Sequence, residues 1–121
     1  MLYGTIFGDM ASCTYEFNSA MNYDFELFPK KSRFTDDTVM TLAVATWLMK
    51  DRTEETLIKE MQYLGNRYPR AGYGGTFRMW LIDAHPEPYN SWGNGSAMRV
   101  SPCAWVAQSL EEAEELAKQS A

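Results

Sequence analysis

The sequence predicts an all-α domain. Apolar residues recur at helical spacing along two long segments, three helix starts carry capping or acidic first-turn residues, and no stretch alternates as a strand does. Residues 3–12 are apolar, with Gly4, Gly8 and Ala11 on one side. This predicts a short helix packed closely on a neighbour, a strand being the alternative. Asn18, Asn22, Pro29 and the Lys30-Lys31 pair break the pattern over residues 14–33, an ordered loop rich in Tyr and Phe. Residues 37–50 form the clearest helix, with Val39, Leu42, Ala43, Thr46, Trp47 and Met49 on a broad apolar face. Asp36 and Asp37 complement its dipole at the start, and Lys50 does so at the end.

A second helix begins near Thr53. Glu54 and Glu55 occupy its first turn, Leu57, Ile58, Met61 and Leu64 line one face, and Gly65-Asn66 reads as its stop. Gly72-Tyr73-Gly74-Gly75 is a flexible turn into a short helix over residues 76–83, and His85-Pro86-Glu87-Pro88 is a loop by proline chemistry. Gly93-Asn94-Gly95-Ser96 opens a helical run over residues 97–108, which Pro102 should kink or restart. Ser109, with Glu112 three positions on, is a capping box for the last helix. That helix runs to Ala121 without a stop signal, a hint of truncation.

At 121 residues the chain fits one domain. Hydrophobic and charged fractions of 45% and 22% are those of an ordinary soluble protein. No apolar run reaches the roughly 18 residues of a membrane span. A net charge of −5 argues against nucleic-acid binding, and the Glu111, Glu112, Glu114 and Glu115 run reads as a solvated face. Cys13 and Cys103 do not form a C-x-x-C pair and read as buried reduced thiols. With no secretory signal at the N-terminus, the expected setting is cytoplasmic.

Three segments could carry chemistry. Thr35, Asp36 and Asp37 offer a hydroxyl and two carboxylates where the chain turns into a helix, and Mg²⁺ takes oxygen ligands of this kind. The alternative is helix capping, which needs only one of them. Asp9 and Glu16 share a face if the first helix continues that far. Glu16, between Tyr15 and Phe17, has the apolar company that suits a general acid/base, or is simply a surface carboxylate. The Gly93–Ser96 turn can present backbone amides to a phosphate, with Arg99 adding charge, although glycine turns before helices are common. His85, the single histidine, rules out a multi-histidine metal site. Tyr73 and Tyr89, beside glycines in loops, are further possible ligand contacts.

Taken together, Gly4-Thr5-Ile6-Phe7-Gly8-Asp9, Tyr15-Glu16-Phe17, Phe34-Thr35-Asp36-Asp37-Thr38, Tyr73-Gly74-Gly75-Thr76-Phe77, Tyr89-Asn90-Ser91 and Gly93-Asn94-Gly95-Ser96-Ala97-Met98-Arg99 resemble, in this order, the ADP-ribosylglycohydrolase family. These are enzymes related to the dinitrogenase-reductase activating glycohydrolase. The resemblance runs over essentially the whole chain. It implies an all-α orthogonal bundle with two Mg²⁺ in a cleft, ligated in part by Thr35, Asp36 and Asp37, and Glu16 as general acid/base. Gly93, Asn94, Gly95, Ser96, Ala97 and Met98 would hold the diphosphate and proximal ribose of ADP-ribose. The implied reaction is hydrolysis of the bond joining ADP-ribose to an acceptor.

One departure stands out. Family members are roughly twice as long, and their second metal motif, Asp-x-Asp-Thr, is absent from this sequence. The expectation is therefore the N-terminal part of such a domain, completed by further sequence or by a second chain. The alternative is a non-catalytic ADP-ribose-binding or regulatory half-domain.

Overall fold

The computed structural model describes residues 2–121, and among them every regular element is helical. The helices are α1 (Leu2–Ser12), α2 (Asp36–Leu48), α3 (Glu54–Arg67), α4 (Gly75–Trp80), α5 (Gly95–Met98), α6 (Ser101–Val106) and α7 (Leu110–Ser120). The all-α expectation holds. None of these helices is long and apolar enough to cross a membrane.

The second of them is the axis of the fold. It contributes Val39, Met40, Ala43, Val44, Trp47 and Leu48 to the core and packs against α1, α3, α5 and α6. Burial on so many sides explains why the expected face was too narrow: Met40, Thr41 and Val44 are buried as well, whereas Met49 lies beyond the helix and is exposed. Lys50 also falls outside it and pairs with Glu60 on α3 rather than with the helix end. Trp47 fixes the turn that follows, its Nε1–H donating to the Thr53 carbonyl at 2.9 Å. Thr53 is itself the N-cap of α3, its side chain accepting from Thr56 N–H.

Gly65 does not stop that helix, which continues to Arg67. A Cβ at Gly65 would lie 2.5 Å from Leu81 Cδ2. The residue is glycine because the segment after α4 crosses it closely, and such a contact leaves no local mark in sequence. Pro102 restarts the helical run rather than bending it. The run divides into α5 and α6, with the proline in the first turn of α6, where no N–H is required of it. Ser109 caps α7 as its motif indicates, accepting from Glu112 N–H at 3.1 Å.

The first helix corrects a further expectation. A Cβ at Gly4 or Gly8 would meet nothing within 4 Å, so the glycine side is open rather than tightly packed. The covered side runs through Leu2, Thr5, Ile6, Asp9, Met10 and Cys13 at helical spacing, and Asp9 is its one buried member, the others being partly covered. Cys103 is buried in the core, while Cys13 is only partly covered; both are free thiols.

Candidate functional site

A carboxylate buried at the centre of an apolar stripe must find donors. Asp9 finds four. Its Oδ2 accepts from Thr35 N–H at 2.7 Å, Thr38 N–H at 3.3 Å and Thr38 Oγ1–H at 2.5 Å, and its Oδ1 accepts from Thr35 Oγ1–H at 2.7 Å. All four donors belong to the first turn of α2 or its cap. α1 is thereby tied to the start of α2, with the Thr35 backbone extended at φ −120° and ψ −167°.

Thr35 is the N-cap of α2, its Oγ1 accepting from Asp37 N–H at 3.3 Å. The two readings of this segment therefore separate by residue. Thr35 does the capping, and neither Asp36 nor Asp37 needs its carboxylate for that purpose. Asp36 is anchored through its backbone, its N–H donating to the Ala71 carbonyl at 3.0 Å. The next residue, Gly72, has φ 119°, and a Cβ there would lie 3.0 Å from Asp36 Oδ1. Glycine thus satisfies both a left-handed backbone and the close approach of a carboxylate.

The electrostatics are those of a site short of positive charge. Burial, the largest cause, pushes the Asp36 carboxyl up from 3.8 to about 6, and the negative charges of Asp37, Glu16 and Asp9 add to the rise. Burial and then the negative charge of Asp9 raise Asp37. The ion pairs found among the described residues, Lys50–Glu60, Arg52–Glu112 and Lys59–Glu55, include none of these four acids.

These acids line one wall of a cleft of about 1030 Å³. The same cleft is lined by Glu16 and by Gly93, Asn94, Gly95, Ser96 and Met98, so the separate sequence candidates line a single space. Ala97 does not line it. Its volume is at the top of the roughly 300–1,000 Å³ usual for small-molecule sites and suits an extended ligand. Glu16 lies beyond the end of α1, so it reaches the cleft from a turn and not along a shared helical face with Asp9. It is exposed, and Phe17 beside it is 94% exposed, so the expected apolar surroundings do not form.

Also lining the cleft, α5 is a single turn. Asn94 makes no side-chain capping bond, and its carbonyl accepts from Ala97 and Met98 N–H. The first amides of such a turn lack intrahelical acceptors and can meet an anion. Arg99 lines the same cleft, its guanidinium beside Gly95, although it is largely held from behind. It is 7% exposed, its Nε donates to the Ser120 carbonyl at 2.7 Å, and burial lowers its pKa. A role in tying α5 to the end of α7 was not readable from local sequence. Tyr89 lines the cleft, whereas Tyr73 is 3% exposed and belongs to the core, packed on Phe77. His85 is exposed in its loop.

The donor set at α2 is entirely oxygen: two half-buried carboxylates and a hydroxyl, with no lysine or arginine paired to them among the described residues. That chemistry fits a hard divalent cation, which commonly takes one or two carboxylates and keeps several waters. Among the described residues, no three His, Cys, Asp or Glu side chains are gathered as a complete metal cage. A family profile described as ADP-ribosylglycohydrolase matches residues 1–121, the whole chain. No curated protein and no solved structure matches it.

Proposed function

The chain belongs to the ADP-ribosylglycohydrolase family, and from that premise we propose that it serves in Mg²⁺-dependent hydrolysis of the glycosidic bond between ADP-ribose and an acceptor. The observation that carries this reading is the cleft itself, which the Thr35–Asp37 donors, Glu16 and the Gly93–Ser96 turn all line. When bound, Mg²⁺ supplies positive charge that orients sugar hydroxyls and activates water. Thr35, Asp36 and Asp37 would hold it through side-chain oxygens. Glu16, open to the cleft, moves the proton between water and the leaving group. Within the Gly93–Met98 segment the amides at the start of α5 hold the diphosphate, those of Ala97 and Met98 being taken by the Asn94 carbonyl, which holds the turn in shape.

Two carboxylates satisfy one Mg²⁺ more readily than a two-ion centre, so the remaining ligands are assigned to polypeptide outside these residues, in the same or a second chain. A cytoplasmic setting goes with this reading. The second reading, a half-domain that binds ADP-ribose without cleaving it, is favoured by the lack of a three-carboxylate group among the described residues. Calorimetry with ADP-ribose, with and without Mg²⁺, alongside a hydrolysis assay on an ADP-ribosylated peptide, separates the two. Under the first reading Mg²⁺ strengthens ADP-ribose binding, and Asp36→Ala or Asp37→Ala abolishes that gain and any turnover. Binding that ignores Mg²⁺ and both substitutions, with no turnover, would refute it and support the second.

A further inference from the structure

A threonine hydroxyl can serve a cation only if its proton points elsewhere. It has one hydrogen and two lone pairs. At Thr35 one lone pair receives Asp37 N–H at 3.3 Å, and two acceptors compete for the hydrogen: Asp9 Oδ1 at 2.7 Å and Asp37 Oδ2 at 3.4 Å. The shorter contact wins, since a charged acceptor at 2.7 Å binds a hydroxyl hydrogen well and one at 3.4 Å barely does. The second lone pair is then left free on a residue that lines the cleft, and Asp37, which lines it too, keeps its carboxylate unencumbered.

The Asp9 carboxylate, for its part, is fully used. Two oxygens offer about four lone-pair positions, and four donors fill them. Its residue is 9% exposed, and no capacity remains for a ligand of its own.

We propose that Asp9 is a positioning residue: it draws the Thr35 hydroxyl proton away from Asp37, turning a hydroxyl lone pair and the Asp37 carboxylate outward as a prepared oxygen pair for a divalent cation. This rests on the metal role proposed for Thr35, Asp36 and Asp37.

Asparagine at this position has a definite consequence. Its carbonyl oxygen is required where Thr35 N–H, Thr38 N–H and Thr38 O–H converge, because two of those donors are fixed amides. The Asn amide group must then face Thr35 Oγ1 and donate to it. The released Thr35 proton turns to Asp37 Oδ2, occupying both cation-facing groups at once. Every donor at the position keeps an acceptor, so the fold is expected to tolerate the exchange while the oxygen pair is lost.

The probe is Mn²⁺ alone, its binding followed by the electron paramagnetic resonance signal of the free ion, with thermal melts and amide spectra confirming the fold. Asp9→Asn is expected to weaken Mn²⁺ binding by about 10- to 100-fold, the range for residues that orient ligands. Thr35→Val should weaken it comparably and Thr35→Ser should retain it. Because Asp9 acts through the Thr35 hydroxyl, the double variant D9N/T35V should bind no more weakly than T35V alone. Additive losses, which simple removal of a negative charge produces, would overturn the proposal, as would unchanged binding in folded D9N. If D9N fails to fold, equal binding by T35S and T35V overturns it. Binding in the wild type that D36A abolishes but D9N leaves intact defeats this inference alone. A wild type that takes up no Mn²⁺ defeats the metal reading and this inference with it.

Discussion

Replacing Asp36 by asparagine should make the metal-free protein more stable near neutral pH, the opposite of the usual effect of altering a partly buried polar residue. The carboxyl is raised from 3.8 to about 6, chiefly by burial and then by neighbouring negative charge. A raised carboxyl binds its proton more tightly in the folded state. Its contribution to stability is fully present below pH 3.8 and is lost as pH rises through about 6. For a fully desolvated group that rise corresponds to about 3 kcal/mol. Asp36 is only half-buried, and solvent screening reduces the figure to about 1–2 kcal/mol. Asparagine carries no charge to desolvate, so D36N should gain about that amount, a melting-temperature increase of about 4–8 °C for a chain of this length. Urea unfolding followed by circular dichroism at about pH 7.5 and about pH 4.5 gives the test, with most of the difference gone at the lower pH. Mg²⁺ should stabilise the wild type and leave D36N unmoved, reducing or reversing the order. A D36N variant no more stable than wild type near pH 7.5, or equally stabilised at both pH values, would refute this account of the acid cluster.

Two glycines give sharper packing tests. Gly65→Ala would place its Cβ 2.5 Å from Leu81 Cδ2 and 2.7 Å from Cδ1, and Leu81 is buried with little room to yield. It should cost about 1–3 kcal/mol by urea unfolding, and the cost should fall in a Leu81→Ala background. Equal costs in the two backgrounds would mean that the contact does not matter. Gly72→Ala combines φ 119° with a 3.0 Å approach to Asp36 Oδ1, and should lose about 1–3 kcal/mol in the same assay. A stable G72A whose Asp36 retains its raised titration, read by carbon NMR of the carboxyl, would contradict this.

What could be read in the sequence was what neighbours in sequence determine. The caps at Thr53 and Ser109 and the acidic start of α2 place three helix starts to within a residue or so, because capping acts over three or four positions. Long-range packing decided the rest. Gly65 looks like a stop, but its reason is Leu81, sixteen positions away. Arg99 lines the cleft beside Gly95, but its hold on the Ser120 carbonyl, twenty-one positions on, could not be read locally. Asp9 was the most recoverable of these. An acid between Ile6, Met10 and Cys13 on one helical stripe is anomalous unless it has buried donors, and that anomaly is visible in sequence alone.

The contrast between Asp9 and the two acids it serves separates structure from function more firmly than any motif. All three lie within one small region, yet Asp9 accepts four hydrogen bonds, whereas Asp36 and Asp37 are half-buried and lack a positive partner among the described ion pairs. Tyr73, whose buried hydroxyl has no partner among the described residues, sits in the field of Asp36 and adds nothing to neutralise it; burial and that carboxylate both raise its pKa. A fold selected for stability alone would pair these acids or replace them. One that fully satisfies the positioning carboxylate, keeps its neighbours exposed to a cleft, and reserves glycine at position 72 for their close approach has kept local electrostatic strain where a cation would relieve it. That strain is what D36N removes, so the gain in stability and the loss of the Mg²⁺ response should appear in the same variant.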